Sequence, residues 1–279
     1  MKRILLVSAA ILLAASHPSD AVTISSSQDL AAVPLNPGTG LLGNYYKFPT
    51  AASVGSMSNA NVLISSSGGP TATFTTTTVC FPDCAGTSIS DSNMMTAFLN
   101  GHASNFAYTS ANQPSAIDHS AITLTGYIAI TQTGTYNFNL GSDDGSALTI
   151  GGTSVINNDS DHVFSTASGA ASFSQTGLYA ISIEYFEDAG VTGLDFYGSD
   201  PTGNCVIGRS GSNCGSTGSV ATSLFYSTLP AAAAPEPASL LILSAGLGAL
   251  ALVRRRLFSR IGAEAPPREE GGGHASCFS

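Results

Sequence analysis

The fold is decided by residues 134–150, which read GTYNFNLGSDDGSALTI. In the first half of this stretch, Tyr136, Phe138 and Leu140 alternate with polar residues. Side chains two residues apart on a strand point to the same face, so the alternation predicts a strand with one buried face and one wet face. A second short run, residues 147–150, follows after an Asp-Asp-Gly sequence. The stretch therefore predicts two strands with an acidic connection between them.

Short alternating segments separated by turn residues continue on both sides of this stretch. The central part of the chain is rich in Ser, Thr, Gly and Ala and shows almost no helical periodicity. This patterning predicts an all-β fold, an antiparallel β-sandwich. About 190 residues of it are enough for one domain, placed at residues 38–228. The predicted strands include residues 121–130, 134–140, 147–150, 162–173, 178–186 and 192–197.

Several motifs in this region belong together. They are GLLGNYY at residues 40–46, TGYI at 125–128 together with the stretch at 134–150, TGLY at 176–179 with IEYFE at 183–187, and SLFY at 223–226. Together they resemble the protective-antigen-type (PA-fourteen) lectin-like domain, whose central hairpin matches residues 125–150. The resemblance spans residues 37–228, apart from an insert at residues 52–112 that matches poorly. It implies a lectin-like β-sandwich.

The resemblance also implies a metal site. In sugar-binding members of this family, including the flocculin adhesins, two adjacent aspartates joined by a cis peptide bond hold a calcium ion that binds vicinal hydroxyls of a glycan. Asp143 and Asp144 occupy the matching positions, which makes them the expected ligands of Ca²⁺ and, through it, of a glycan. Calcium takes about 6 to 8 oxygen ligands, which leaves positions open for a diol. The family uses a ligand-bearing loop after the strand at 178–186, where Asp188 is the candidate third ligand.

The aspartate pair has an alternative interpretation that needs no metal. Asp144-Gly145 between two alternating strands is a strong two-residue hairpin-turn signal. A second acidic cluster, residues 157–162, has the Asp-x-Asp spacing that begins a calcium loop, but the Gly and Glu that should follow are missing. This cluster is predicted to be a polar connecting loop. By the family resemblance, His162 within it is structural.

Four of the five cysteines lie in the same region. They are Cys80, Cys84, Cys205 and Cys214. An even number in an oxidising compartment indicates disulfides, with three possible connectivities. The local pairs Cys80–Cys84 and Cys205–Cys214 are favoured, each pinning a loop rich in Gly, Ser and Asp. A zinc site is the alternative, but no histidine stands near either pair at ligand spacing.

Charge is distributed very unevenly along the chain. Between Val22 and Pro235 there are thirteen acidic residues and only two basic residues, Lys47 and Arg209, which gives this part a net charge of −11. Such a surface repels phosphate backbones, so nucleic acid is not an expected partner. Clustered carboxylates with few counter-cations instead favour metal ions, and oxygen-rich sites suit calcium. For most of these acids the alternative interpretation is a solvated surface.

The N-terminus carries an export signal. Two basic residues precede an apolar run, residues 4–15, and a small-x-small sequence at residues 19–21. These are the three parts of a secretory signal peptide, predicted to be cleaved after Ala21, with Ser16 as the alternative. An apolar run of about a dozen residues is too short for a membrane span, which needs about 20.

The C-terminal end combines three features in a fixed order. Pro235, Glu236 and Pro237 are followed by an uncharged apolar run, residues 238–253, and by three arginines, residues 254–256. The arrangement resembles the bacterial PEP-CTERM sorting signal, which exosortases recognise. The resemblance implies that an exosortase-type processing enzyme is a partner, and that a C-terminal transmembrane sorting helix holds the chain in the membrane before processing. By the positive-inside rule the arginines stay cytoplasmic, which places the sandwich outside that membrane.

Signals for catalysis are poor. The sequence contains no nucleophile elbow, no His-Glu-x-x-His motif and no phosphate-cradling loop. Asp118, His119 and Ser120 are adjacent, so on a strand they would alternate between faces and could not form a triad by themselves. Glu184 and Glu187 are separated by an odd spacing, which places them on opposite faces and argues against a glycosidase pair. The chain is predicted to be non-catalytic.

The predicted protein is exported through the inner membrane to the cell envelope, cell surface or extracellular matrix. There it binds glycan or exopolysaccharide, with Ca²⁺ as its cofactor. The alternative is a non-catalytic structural or protein-interaction module of the matrix, in which the aspartate pair only builds a turn. Calcium dependence of binding separates the two. The predicted segments are a signal peptide (1–21), an N-terminal leader (22–37), the β-sandwich (38–228), an Ala-rich linker (229–234), the sorting segment (235–260) and a disordered tail (261–279).

Overall fold

The structure is a computed structural model that describes residues 20–111, 113–208 and 223–230. These residues contain sixteen strands, two α-helices and one short 3-10 helix. The helices are η1 (Ser26–Gln28), α1 (Met57–Ser66) and α2 (Met95–Leu99). The strands are β1 (Val22–Ile24), β2 (Asp29–Ala31), β3 (Leu41–Lys47), β4 (Ala72–Thr76), β5 (Cys80–Phe81), β6 (Ile89–Ser90), β7 (Ser104–Tyr108), β8 (Ser120–Ile130), β9 (Gly134–Asp143), β10 (Ser146–Ile150), β11 (Thr153–Asn158), β12 (Ser165–Phe173), β13 (Gly177–Glu187), β14 (Val191–Ser199), β15 (Cys205–Ile207) and β16 (Phe225–Tyr226).

The strands form two sheets. Sheet A has the order β1-β12-β9-β14-β15, with β5 and β6 also pairing with β14. Sheet B has the order β11-β10-β13-β8-β3-β4-β7, with β2 on β13 and β16 on β8. The pairings of the described strands are antiparallel except that of β1 with β12. The predicted all-β sandwich is therefore confirmed, and each predicted strand has a counterpart.

The core lies between the two sheets. On β9 the alternation has its predicted effect, since Tyr136, Phe138 and Leu140 are buried. The Phe138 ring lies 5.9 Å from that of Phe196 on β14, and the Tyr136 ring lies 5.6 Å from that of Phe173 on β12. Burying each such side chain stabilises the fold by about 1.5–3 kcal/mol. These contacts pack β9 against both of its neighbours in sheet A, β12 and β14.

Consecutive strands around the acidic connection alternate between the sheets. β8 lies in sheet B, β9 in sheet A and β10 again in sheet B. The central hairpin that the resemblance implied and the Asp144-Gly145 hairpin turn of the alternative interpretation are therefore both wrong. Strand β9 pairs with β12 and β14, whereas β10 pairs with β11 and β13. Asp144-Gly145 is the point where the chain crosses from one sheet to the other. A Cβ atom on Gly145 would overlap the Phe186 ring, so this crossing requires glycine.

The poorly matching insert at residues 52–112 has structure that the sequence analysis did not predict. It contributes both α-helices and four short strands, β4 to β7. Helix α1 begins after Ser56, whose hydroxyl accepts the Asn59 amide over 3.2 Å. Only Met57 and Ala60 of α1 are buried, in a small cluster with Phe186. An apolar stripe this narrow leaves almost no helical periodicity in the sequence.

The described residues also bear on the two ends of the chain. Residues 22–31, predicted as part of a leader, carry β1 and β2, which join sheet A and sheet B respectively. Every described residue belongs to one compact unit, which lies within Met1–Pro230. Residues 1–19 and the sorting segment lie outside the described part. Within that part, no helix combines the length and apolar character that a membrane span requires.

Candidate metal centre

Three carboxylates meet at one end of the sandwich. Asp143 is the last residue of β9, Asp144 follows it, and Glu187 is the last residue of β13. One oxygen atom from each of the three lies within 4.8 Å of the others. The peptide bond between Asp143 and Asp144 is cis. All three residues are buried, with exposed fractions of 4%, 2% and 0% respectively.

Backbone amides orient the two aspartates. Asp143 Oδ2 accepts the Phe164 amide over 2.9 Å. Asp144 Oδ1 accepts the His162 amide over 3.1 Å, and its Oδ2 accepts the Asp188 amide over 2.9 Å. The loop before β12 and the loop after β13 are thereby tied to the aspartate pair. These amide contacts hold the carboxylates in place without neutralising their charge.

Among the described residues, only one of the two Glu187 carboxylate oxygens has a hydrogen-bond partner. Its Oε2 atom accepts the Tyr185 hydroxyl over 2.9 Å. Its Oε1 atom is buried, and no described residue gives it a hydrogen-bond partner. Leaving a buried polar atom unpaired costs about 1–3 kcal/mol, and more for a charged group. A proton or a cation at Oε1 would remove that cost.

The raised pKa values of the three carboxyl groups also indicate that the cluster needs a proton or a cation. Burial, reinforced by the nearby Asp144 carboxylate, raises the pKa of Glu187 to about 9. Burial also raises the pKa of Asp144 to about 6, and the neighbouring Asp161 carboxylate adds to the rise. Burial raises the pKa of Asp143 as well. Without a cation, Glu187 therefore retains at neutral pH a proton that an ordinary carboxyl group would have released.

No lysine or arginine of the described residues compensates the cluster. Lys47 is the one such residue in the part of the chain that the structure describes, and its Nζ atom lies 2.9 Å from Asp118 Oδ1. That ion pair helps to lower the pKa of Asp118, against the effect of burial. Three buried carboxylates of like charge are stable only when protonated or when they hold a cation. Their all-oxygen ligand set fits a hard cation such as Ca²⁺.

Asp188 follows Glu187 directly, and its carboxylate is not one of the three that meet in the cluster. Its Oδ1 atom accepts the Val54 amide over 3.1 Å, and its carbonyl oxygen accepts the His119 amide over 3.0 Å. The structure thus brings Glu187 to the aspartate pair where the sequence analysis expected Asp188. Glu187 had a detectable signal, because it continues the buried alternation of Ile183 and Tyr185 along β13. An acid at a core-facing position of a strand is a candidate ligand.

The insert and the second acidic cluster form the surroundings of this site. Asp91 Oδ2 accepts the Gly190 amide over 2.8 Å, which ties the insert to the loop after β13. Asp159, in the second acidic cluster, accepts the Met57 amide at the start of α1 over 2.7 Å. Its role in the structure is to hold the helix end, as fits a polar connecting loop. Val163, further along the same loop, has a side chain that is 80% exposed.

The structure also shows whether two further pairs of side chains lie together or apart. The Asp118 and His119 side chains were expected to point apart, yet His119 Nδ1 lies 3.1 Å from Asp118 Oδ2. His119 precedes β8 and has a positive φ of 44°, so strand alternation does not apply to it. Glu184 and Glu187 do lie apart, since Glu184 Oε2 accepts the Asn61 side chain on α1 over 3.2 Å.

None of the described cysteines belongs to the three-carboxylate cluster. Cys80 and Cys84 are joined by a disulfide with their Cα atoms 4.7 Å apart. Cys205 is disulfide-bonded as well. Its predicted partner, Cys214, lies outside the described residues. A disulfide in the described part of the chain is typical of proteins that fold in an oxidising compartment.

Comparison with known proteins agrees with this architecture. The profile of the PA14 domain family matches residues 100–205. The structure is similar to the PA14 domain of the MpAFP antifreeze protein, with a TM-score of 0.51 and 23% identity over 64% of this chain and 91% of that one. It is also similar to the PA14 sugar-binding domain of an RTX adhesin, with a TM-score of 0.51 and 21% identity over 61% of this chain and 94% of that one. No curated protein gives a significant match. The family profile therefore matches the central part of the β-sandwich, and the fold is similar to that of two PA14 domains.

Proposed function

We propose that the domain binds Ca²⁺ through Asp143, Asp144 and Glu187 and uses the ion to bind a glycan. The observation that carries this proposal is the buried Glu187 Oε1 atom, which has no hydrogen-bond partner among the described residues and belongs to the three-carboxylate cluster. A bound cation would satisfy that oxygen and neutralise the like charges around it. The sequence expectation of Asp143 and Asp144 as ligands is kept, and Asp188 becomes a residue that holds the loop.

The ligand set favours calcium over transition metals. The cluster contains carboxylate oxygens and no histidine nitrogen or cysteine sulfur. Zinc is usually held by nitrogen and sulfur, whereas calcium prefers oxygen ligands and a flexible geometry. Calcium takes about 6 to 8 oxygens, so three protein carboxylates leave room for two vicinal hydroxyls of a sugar.

A glycan would approach the ion past the loops that surround the centre. The rim includes exposed residues of the loop before β12, among them Asp161 and Val163, and Ala189 and Gly190 of the loop after β13. The similar domain of the RTX adhesin is a sugar-binding domain, which supports a glycan as the ligand class. Contact through a single shallow site is weak, so useful binding to exopolysaccharide would come from many copies acting together.

We place this domain outside the cell. The signal peptide at residues 1–21 would direct export through the inner membrane, and the segment at 235–260 would present its Pro235-Glu236-Pro237 motif to an exosortase-type processing enzyme. The membrane would be a partner only until that processing. The Cys80–Cys84 disulfide supports an oxidising destination such as the cell envelope, cell surface or extracellular matrix.

One observation favours a second function. Asp143 and Asp144 together accept three backbone amides, from Phe164, His162 and Asp188, and these contacts would fasten loops even without an ion. In that case the domain would be a non-catalytic structural or protein-interaction module of the matrix. Its binding to any partner would then be independent of calcium.

Calcium titration separates the two functions. The exported chain, residues 22–279, is purified in mild detergent, stripped with EDTA and titrated with Ca²⁺ by calorimetry. We expect saturable binding that is lost in the Asp143→Asn/Asp144→Asn double variant, followed by calcium-dependent retention on immobilised polysaccharide. Equal heats for the two proteins would overturn the metal site and leave the structural module.

A further inference from the structure

We propose that the Tyr185 hydroxyl is the positioning group of the metal centre, holding the Glu187 carboxylate so that one oxygen faces the aspartate pair. This inference rests on the proposed calcium function. Tyr185 does not belong to the three-carboxylate cluster itself. It lies behind the cluster, on the core side of β13, and acts through the residues that would touch the ion.

The hydroxyl contacts three groups of the site at once. Tyr185 Oη lies 2.9 Å from Glu187 Oε2, 2.5 Å from the Asp143 carbonyl oxygen and 2.6 Å from Thr192 Oγ1. Asp143 ends β9 in sheet A, whereas Glu187 ends β13 in sheet B. One phenol therefore links the two strands, one from each sheet, that supply the carboxylates.

The donors available at this link serve one of its two acceptors at a time. The Tyr185 hydroxyl has one proton to donate. When Glu187 is ionised, its carboxylate and the Asp143 carbonyl are both acceptors and have no proton to offer in return. The Thr192 hydroxyl is free to donate to Tyr185 Oη, which leaves the tyrosine proton for Glu187 Oε2 or for the Asp143 carbonyl. Thr192 is fully buried, so water does not compete for these contacts.

The two oxygens of Glu187 are consequently unequal. Oε2 is held by Tyr185, and Oε1 is the buried atom without a hydrogen-bond partner among the described residues. Because the carboxylate is planar, fixing Oε2 also fixes the direction of Oε1. Without the phenol, the carboxylate could rotate, and the cation would have to order it on binding.

The Tyr185 ring is itself held rigidly. It is 1% exposed, and it stacks on the Phe98 ring of α2 with centroids 6.0 Å apart and planes 12° from parallel. Helix α2 belongs to the insert at residues 52–112. The insert therefore contacts the centre both through the Phe98 ring on Tyr185 and through Asp91 at the loop after β13. Replacing Tyr185 with Phe would remove the hydroxyl and keep the ring in this stack.

The test compares two matched variants in calcium calorimetry on the exported chain, residues 22–279. Tyr185→Phe is expected to weaken calcium binding by about 10–100-fold, the usual effect of removing a group that orients a metal ligand. Tyr179→Phe is the control, because Tyr179 is buried on the same strand and its hydroxyl donates to Gln175 O over 2.9 Å, away from the centre. Its calcium affinity is expected to equal that of the unaltered chain.

A double-variant cycle shows whether Tyr185 acts through Glu187. In a Glu187→Gln background, adding Tyr185→Phe is expected to weaken binding by no more than about 3-fold, because the ligand it positions is gone. The same large factor in both backgrounds, or unchanged affinity in Tyr185→Phe alone, would overturn the proposal. Should Tyr185→Phe fail to fold, Thr192→Val removes the supporting hydroxyl instead, and unchanged affinity there would count against the proposal equally.

The outcomes also separate this inference from the proposed function. If the unaltered chain binds no calcium, the calcium function is wrong and the positioning role with it. If the unaltered chain and the Tyr185→Phe variant bind calcium equally, only the positioning role is wrong. Thermal unfolding in EDTA completes the comparison, since a merely structural role would lower the midpoint of Tyr185→Phe without changing its calcium affinity when folded.

Discussion

The Asp188 backbone amide donates to Asp144 Oδ2 over 2.9 Å, while the Asp188 Oδ1 atom accepts the Val54 amide over 3.1 Å. Glu187, the last residue of β13, and Asp188, the first residue of the loop that follows, therefore make different contacts with the cluster. Glu187 supplies a carboxylate to the cluster, and Asp188 supplies an amide to one aspartate and a carboxylate oxygen to the Val54 amide. The side chain that was predicted as the third ligand is the one that anchors the insert.

This division predicts unequal effects of two amide substitutions. Glu187→Gln should weaken calcium binding by more than about 10-fold, because it removes a charged ligand from the cluster. Asp188→Asn is the matched control and should change it only a few-fold, since its backbone amide contact with Asp144 is retained. Calorimetry on both variants decides the matter, and a larger loss in Asp188→Asn would return the ligand role to Asp188.

The aspartate pair predicts loss of glycan retention together with loss of calcium. Asp143→Asn/Asp144→Asn should elute from an immobilised neutral polysaccharide where the unaltered chain is retained, and EDTA should have the same effect on the unaltered chain. Asp159→Asn is a suitable control, because Asp159 binds the start of α1 rather than the cluster. Retention that survives both EDTA and the double substitution would show that any glycan is bound elsewhere.

Much of the fold could be predicted because alternation is a local property. Tyr136, Phe138 and Leu140 show period two in the sequence and are buried in the structure, and the same holds for β13. Strand pairing was harder to predict. Asp144-Gly145 has the composition of a hairpin turn, but the strands on either side find better partners in different sheets, which no local signal encodes.

The site could be predicted only in part for a related reason. Asp143 and Asp144 were identifiable from a motif, whereas Glu187 reaches them through the packing of sheet B against sheet A. The contributions of Val54 and Asp91 depend on an insert with weak helical periodicity, and these residues lie 134 and 99 positions before the residues that they contact in the loop after β13. Such long-range contacts follow from the assembled fold.

The raised pKa values predict how the stability of the metal-free chain depends on pH. Glu187 keeps its proton in the folded chain up to about pH 9, whereas the unfolded chain loses it near 4.5. The unfolded chain therefore binds fewer protons in this window, so the free energy of unfolding falls as pH rises, by up to about 1.4 kcal/mol per pH unit for one such group. Asp144 adds to the fall between 3.8 and about 6.

Thermal unfolding in EDTA checks this pH dependence. The midpoint should decrease from pH 5 to pH 8, and the decrease should be smaller in Glu187→Gln and in excess calcium. Asp118 contributes the opposite trend at lower pH, because its lowered pKa favours the folded chain once it is ionised. A midpoint for the metal-free chain that rises steadily between pH 6 and pH 8 would contradict the proposed protonation of the cluster.

The charge around the centre predicts a preference among polysaccharides. Three carboxylates outweigh the two positive charges of one calcium ion, and Asp161 and Asp91 add negative charge nearby. Neutral polymers should therefore be retained more strongly than uronate-rich polymers at low salt, and the difference should shrink as added salt screens the repulsion. Stronger retention on the uronate polymer at low salt would show that its carboxylates bind the ion directly.

The crossing between the sheets predicts a steric requirement at Gly145. A Cβ atom there would overlap the fully buried Phe186 ring and lie 2.9 Å from the Ser160 carbonyl oxygen. Gly145→Ala should lower the free energy of unfolding by about 1–3 kcal/mol, the usual cost of overpacking a core, and should weaken calcium binding by displacing Asp144. Gly55→Ala is the control, because its nearest atom would be 3.8 Å away. Denaturant unfolding in EDTA measures the first effect and calorimetry the second, and an unchanged midpoint in Gly145→Ala would mean that the crossing can open without cost.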